Sequence, residues 1–146
     1  MASCYHPEVT FGDPVFPHLS GWKASAMWRM LCERGQDLVL EFRDVSADDK
    51  QGRVLWEAHY TFSKTGRKVH NRVRAQVKFQ DGLIREHRDD FDLKKWMGMA
   101  LGFKGRIAGL FQAGRGKVQE TAALGLDRYI SKNSLGPDDF ANGRKD

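Results

Sequence analysis

His87 and Asp89, two residues apart, are the side chains of this sequence best placed to do chemistry. In an extended strand, Leu83, Arg85, His87, Asp89 and Phe91 share one face, and Ile84, Glu86, Arg88 and Asp90 share the other. The second face is almost wholly charged and requires water. The first is bounded by Leu83 and Phe91, so it is expected to face a core. A carboxylate beside an imidazole in an apolar interior needs a partner or a purpose. Such a carboxylate can act as a general base toward carbon or water, with His87 orienting it or sharing its proton. The structural alternative is a satisfied His–Asp pair that specifies strand register.

Other inward positions add to this pair. Tyr60 and Asn71 are polar residues on faces otherwise made of Leu, Phe, Val and Ala, and either could donate to a developing oxyanion. Trp56, Phe62 and Trp28 supply apolar walls. Mostly apolar walls with a few convergent polar groups are the composition of a small-molecule pocket. Asn71 could equally bond to a loop carbonyl, and Trp28 is first of all a core residue. Asp13, before Pro14, reads as an Asx turn or cap, with a place at the pocket mouth as the alternative.

The elements that would hold these residues follow from periodicity. Ala24, Met27, Trp28 and Leu31 recur at helical spacing, and Gly35 stops a helix over 22–34. Leu38, Leu40 and Phe42 alternate with Val39, Glu41 and Arg43, which predicts a strand with the first three inward. A second strand over 54–62 puts Trp56, Ala58, Tyr60 and Phe62 on one face. The longest alternating run is 69–79, with Val69, Asn71, Val73, Ala75, Val77 and Phe79 inward and His70, Arg72, Arg74 and Lys78 outward. Short polar turns join these runs to 82–92, which predicts an antiparallel meander with one buried face. A short strand over 9–11 is also possible. Leu93, Trp96, Met97, Ala100 and Leu101 predict a helix from Asp92 to Gly102. Residues 103–116 are glycine-rich and read as irregular. Val118, Ala122, Leu126, Tyr129 and Ile130 predict a last amphipathic helix. The expected organisation is one α+β domain over 1–130, with a disordered polar tail over 131–146.

Composition narrows the function classes. At 146 residues, with 40% hydrophobic and 29% charged residues, the chain can bury a substantial core. No apolar run is long enough to cross a membrane, and no secretory signal pattern is present. Cys4 and Cys32 match no zinc spacing and read as reduced thiols of a cytoplasmic protein. The net charge of +5 comes without a recognition motif, so nucleic-acid binding is not expected. Opposing Glu41, Glu57 and Glu86 can neutralise part of the basic row, and the alternatives for that face are solvent or a dimer interface. His87-Arg88-Asp89 copies a kinase tripeptide, but Lys94 stands where Asn is required. Gly109 to Gly114 has phosphate-loop spacing, but Arg115 follows where Lys is required.

The order of elements and several motifs resemble the SnoaL-like branch of the nuclear-transport-factor-2-like superfamily. The matching text is 5–11 with Asp13-Pro14, Met27-Trp28, Tyr60-Thr61-Phe62 with Thr65-Gly66-Arg67, Asp81 to Ile84, and His87 to Asp92. Ala100-Leu101-Gly102 through Gly109 adds to it. The resemblance implies a cone-shaped α+β fold, a cystatin-like roll, whose curved antiparallel sheet carries helices on its concave face around a hydrophobic pocket. It implies isomerase, cyclase or hydrolase-type acid/base chemistry, or a non-catalytic binding or dimerisation domain. The ligand would be a small hydrophobic carbonyl or epoxide compound, the protein a homodimer, and no cofactor or metal is implied. The acid/base aspartate of the cyclases and epoxide hydrolases falls at Asp89. The arginine and second aspartate of the epoxide hydrolases are absent near Trp56 and Ala58. The long N-terminal helix of the family is missing here, which suggests a start upstream of Met1 or a covering partner.

Overall fold

The computed structural model describes residues 2–141. A 3-10 turn at Ala2–Cys4 leads into β1 (Tyr5–Gly12), and β2 (Leu19–Ser20) pairs back on it. Helix α1 (Trp22–Arg34) follows, with the bounds its periodicity predicts. The amide of Gly35 closes it on the carbonyl of Leu31 at 2.9 Å. Strands β3 (Val39–Ala47), β4 (Gln51–Phe62), β5 (Arg67–Gln80) and β6 (Leu83–Asp90) form the meander. Helices α2 (Leu93–Ala108) and α3 (Gln112–Lys132) complete the fold.

The six strands lie in the order β2-β1-β6-β5-β4-β3. The curved sheet is mixed rather than wholly antiparallel, because β1 runs parallel to β6. Sequence periodicity cannot reveal that pairing, since its two strands are far apart in the chain. The core lies between the concave face and the helices. Val9, Phe11, Ala24, Met27, Met30, Met97 and Leu126 are its centre.

Three local expectations change. The first concerns β3. All nine of its residues are exposed, Phe42 at 75%, so Leu40 and Phe42 face the concave side but nothing covers them. Alternation defines the two faces of a strand without saying whether either is buried. The second concerns β6. Lys78 pairs with Glu86 but Phe79 pairs with Ile84, so Arg85 is an extra, bulged residue. Across the bulge Ile84, opposite the inward-facing Phe79, shares its face, while His87 and Asp89 keep their inward places opposite Val77 and Ala75. Arg85 reaches the carbonyl of Glu8 instead.

The third concerns the C-terminal third. Gly102 breaks helical geometry (φ 73°, ψ −153°), as its position suggests, but the chain then resumes a helix to Ala108. The break orphans carbonyls of the preceding turn. Arg67 Nε donates to Met99 at 2.9 Å and Thr65 Oγ1 to Ala100 at 2.5 Å, which tethers the kink to the β4–β5 hairpin. The segment read as irregular is therefore mostly helical. The polar tail is described through residue 141. Helix α3 runs to Lys132, and a 3-10 turn at Pro137–Phe140 stacks Phe140 on Trp22 with centroids 6.1 Å apart. Part of the expected tail, residues 142–146, lies outside the described residues.

Candidate functional site

The site is built where β1, β6 and α1 meet. Phe11 lies opposite His87 in the parallel β1–β6 pair, so both rings face the core. His87 is 5% exposed and Asp89 6%. His87 Nε2 is 2.8 Å from Asp89 Oδ1. On the other side of the ring, Nδ1 is 2.7 Å from the Tyr5 hydroxyl, and the Trp28 indole donates to that hydroxyl at 2.8 Å. Aromatic rings fix the imidazole plane: Trp28 stacks on it at 6.1 Å, and Phe11 meets it edge-on at 5.1 Å. Trp56 in turn meets Trp28 at 6.3 Å. The sequence-based pair is thus real and buried, with Trp28 and Trp56 beside it. Tyr5 is a member the sequence reading missed, because only the parallel pairing brings it there. Burial pushes the Tyr5 hydroxyl well above its usual range, opposed by the Trp28 hydrogen bond.

Asp13 joins this group from the loop after β1. Gly12 lies opposite Arg88, so Asp13 continues the chain at the level of Asp89. Its Oδ1 accepts from the amides of Val15 at 2.7 Å and Phe16 at 2.5 Å, the Asx turn expected before Pro14. Two side chains hold the loop: Arg88 Nη1 donates to the Pro17 carbonyl at 3.1 Å, and Gln119 Nε2 on α3 donates to that of Pro14 at 3.0 Å. Burial pushes the Asp13 carboxyl up to about 6. The two amides oppose that rise, the Asp89 charge adds to it and His87 lowers it. Asp13 also raises Tyr60 electrostatically, after the larger effect of burial. It is therefore the electrostatic neighbour that the Asp89–His87 pair and Tyr60 have in common.

The second half of the predicted set lies under α2. The indole of Trp96 donates to the Tyr60 hydroxyl at 2.8 Å, and Phe62 packs edge-on against Trp96 at 5.6 Å. Asn71 lies on the concave face opposite Ala58 and is 9% exposed, with no side-chain hydrogen-bond partner among the described residues. It is four residues along β5 from Ala75, the neighbour of Asp89, roughly 13 Å at the rise of an extended strand. Tyr60, Asn71 and Phe62 thus form a group distinct from His87, Asp89 and Trp28.

Open space lies at the borders of this arrangement. One recess of about 300 Å³ is lined by Asp37, His59, Tyr60, Lys68, His70 and Met99 among others. Another, of about 290 Å³, includes Trp56, Val73, Asp90 and Asp92 in its lining. Neither is lined by His87 or Asp89, whose immediate surroundings are filled by aromatic rings.

The convex face carries an ion-pair network. Arg74 pairs with Asp90, and Lys78 with Glu86 at 2.8 Å. Glu57, His59 and His70 place potential ligand atoms within 4.8 Å of one another. This donor set does not suit a cation. Glu57 already accepts from Arg43 at 2.7 Å, from Arg72 at 3.2 Å and from His70, and two guanidinium groups oppose further positive charge. These same partners, His70 first, hold the Glu57 carboxyl well below its usual range.

Comparison with known proteins agrees with this architecture. A proposed isomerase from Rhodopseudomonas palustris superposes with a TM-score of 0.59 at 16% identity, over 69% of this chain and 81% of that one. A proposed SnoaL-like polyketide cyclase from Jannaschia sp. CCS1 gives 0.58 at 17% identity, over 66% and 73%. AclR, a proposed hydroxylase from Streptomyces galilaeus, gives 0.55 at 18% identity, over 68% and 78%. No curated protein matches the chain in sequence. No helix among the described residues is long and apolar enough to cross a membrane. The family model for the SnoaL-like domain matches residues 1–87 and so takes in β1 through His87. The chain belongs to the SnoaL-like domain family of the nuclear-transport-factor-2-like superfamily.

Proposed function

We propose that this protein is a cofactor-independent acid/base enzyme, of isomerase, cyclase or hydratase type, acting on a small hydrophobic carbonyl or epoxide compound. One observation carries the reading. Asp89 is 6% exposed and has Oδ1 engaged by His87, while Oδ2 has no partner among the described residues. A carboxylate so placed is oriented by one oxygen and available through the other. Asn71, nearly buried and unpaired on the same concave face, is a second group that a ligand would satisfy.

In this reading Asp89 Oδ2 takes a proton from the carbon next to a carbonyl. Tyr60 accepts from Trp96, so its own proton, together with the Asn71 amide, is free to bind a second substrate oxygen at the far end of the molecule from the carbon that Asp89 deprotonates. Asp89, now the acid, returns the proton to the product, so the carboxylate is regenerated. Trp56, Phe62 and Trp28 shape the apolar walls. The test needs no knowledge of the overall reaction. A panel of small enolisable ketones is incubated with the protein in D2O, and deuterium entry at the α-carbon is followed by NMR. Asp89→Asn is expected to lower the exchange rate roughly 10²-fold or more; an unchanged rate rules out acid/base chemistry at Asp89.

A second reading is a binding or dimerisation domain of the same fold. It is favoured by the exposed apolar side chains of the edge strand β3: Val39, Leu40, Phe42 and Val45. In that case no ketone exchanges, and the chain sediments as a homodimer that Phe42→Lys dissociates.

A further inference from the structure

We infer that Tyr5, backed by Trp28, is a positioning residue that donates to Nδ1 of His87 and so holds the ring in a relay whose proton on Nε2 is directed at Asp89. The argument follows the donors along the chain of contacts. An indole N–H can only donate, so Trp28 occupies a lone pair of the Tyr5 oxygen. An ionised carboxylate can only accept, so the nitrogen 2.8 Å from Asp89 Oδ1 must carry a proton, and that nitrogen is Nε2. A neutral imidazole has one N–H, which leaves Nδ1 bare. The Tyr5 hydroxyl, 2.7 Å away, supplies the proton that Nδ1 accepts. Every donor then points the same way: Trp28 to Tyr5, Tyr5 to His87, His87 to Asp89.

Three separate elements contribute to this line. Tyr5 opens β1 opposite Ile84, Trp28 comes from α1 and His87 from β6. The ring is also held in plane by Phe11 and Trp28, so it cannot turn over without displacing both. The consequence for chemistry rests on the reading of Asp89 as a proton acceptor. The relay fills Oδ1 with a hydrogen bond and leaves Oδ2 as the basic oxygen. Trp28, expected from the sequence to be a pocket wall, becomes the origin of the relay.

The opposite arrangement is chemically well defined. A protonated Asp89 would donate to Nε2, Nδ1 would carry the ring proton, and Tyr5 would accept it. The two arrangements differ in which ring nitrogen is protonated, and 15N NMR of histidine-labelled protein reads that directly at neutral pH. The expected spectrum shows Nε2 with a pyrrole-like shift and Nδ1 with a pyridine-like shift. A protonated Nδ1, alone or together with a protonated Nε2, overturns the proposal. Tyr5→Phe removes the hydrogen bond that Nδ1 accepts and is expected to move the Nδ1 resonance toward that of a free pyridine-like nitrogen while Nε2 keeps its pyrrole-like shift, and Trp28→Phe to do so more weakly. An Nδ1 resonance unchanged in folded Tyr5→Phe protein also overturns it. The wild-type spectrum decides the direction of the relay even if neither variant folds. A correct tautomer without Asp89-dependent ketone exchange would sink the enzyme reading alone; the converse result would sink the relay alone.

Discussion

Asp13 offers the most direct test of how the site is paid for in stability. Its carboxyl is pushed up to about 6, from an ordinary value of 3.8, chiefly by burial. The unfolded chain therefore releases this proton near pH 4, while the folded chain keeps it until about pH 6. Below pH 4 both states hold the proton and the group is neutral toward folding. Between pH 4 and 6 the unfolded state gains by ionising first, and each pH unit costs the fold about 1.4 kcal/mol. The full cost, about 3 kcal/mol, is present at pH 7. Asp13→Asn removes the ionisation but keeps an oxygen for the amides of Val15 and Phe16. A neutral acceptor there returns about 1 kcal/mol of the gain. The variant is thus expected to be more stable than wild type by about 2 kcal/mol at pH 7 and equal or weaker at pH 3.5. At about 2–4 °C per kcal/mol for a chain of this size, the melting temperature rises by roughly 4–8 °C. Urea unfolding at a series of pH values measures the difference. A gain that does not change with pH, or a loss at pH 7, would refute the burial argument.

Two further substitutions test the packing. Tyr60→Phe leaves the part-buried Trp96 indole N–H without its acceptor and is expected to cost 1–2 kcal/mol in urea denaturation. Adding Trp96→Phe should recover part of that loss, and purely additive losses would mean that the hydrogen bond contributes nothing. Phe42→Ser, at a side chain 75% exposed, is expected to change the stability of the monomer by less than about 0.5 kcal/mol. A loss above about 2 kcal/mol, measured at a concentration where the protein is monomeric, would show that β3 is covered after all.

What was legible in the sequence follows from what each pattern encodes. Helix α1 was read to its ends because a 3.6-residue apolar repeat and a terminal glycine are local signals. The inner face of β5 was read correctly because eleven residues of alternation, 69–79, leave little room for another register. His87 and Asp89 were found because two polar groups on an otherwise apolar face stand out without any tertiary knowledge. The bulge at Arg85 was missed because one inserted residue reverses the faces before it and leaves those after it intact. Tyr5 and Asp13 were not assembled with the pair because their place depends on β1 lying parallel to a strand some 80 residues away. Glycines in 102–116 signal weak local helicity, but packing of Leu126, Val118 and Ala122 against α1 and the core overrides it.

Two tryptophan–tyrosine pairs show how one contact type acquires two roles. Trp28 donates to Tyr5 and Trp96 donates to Tyr60, both at 2.8 Å, with an aromatic ring packed edge-on against each indole. In both pairs the indole fills an acceptor site of the hydroxyl and leaves the phenolic proton to point elsewhere. At Tyr5 the imidazole of His87 lies within 2.7 Å, so the proton is spent inside the protein, and its effect reaches Asp89 through the ring. At Tyr60 no acceptor for the proton lies among the described residues, and the recess of about 300 Å³ begins there. The difference lies in what stands opposite each hydroxyl, not in the hydroxyls themselves. A ring nitrogen stands before the Tyr5 hydroxyl, so that pair is internal to the protein; Tyr60 instead is one of the residues that line a recess. Asp13 is electrostatically coupled to both groups: the Asp89 charge raises it, and it in turn raises Tyr60.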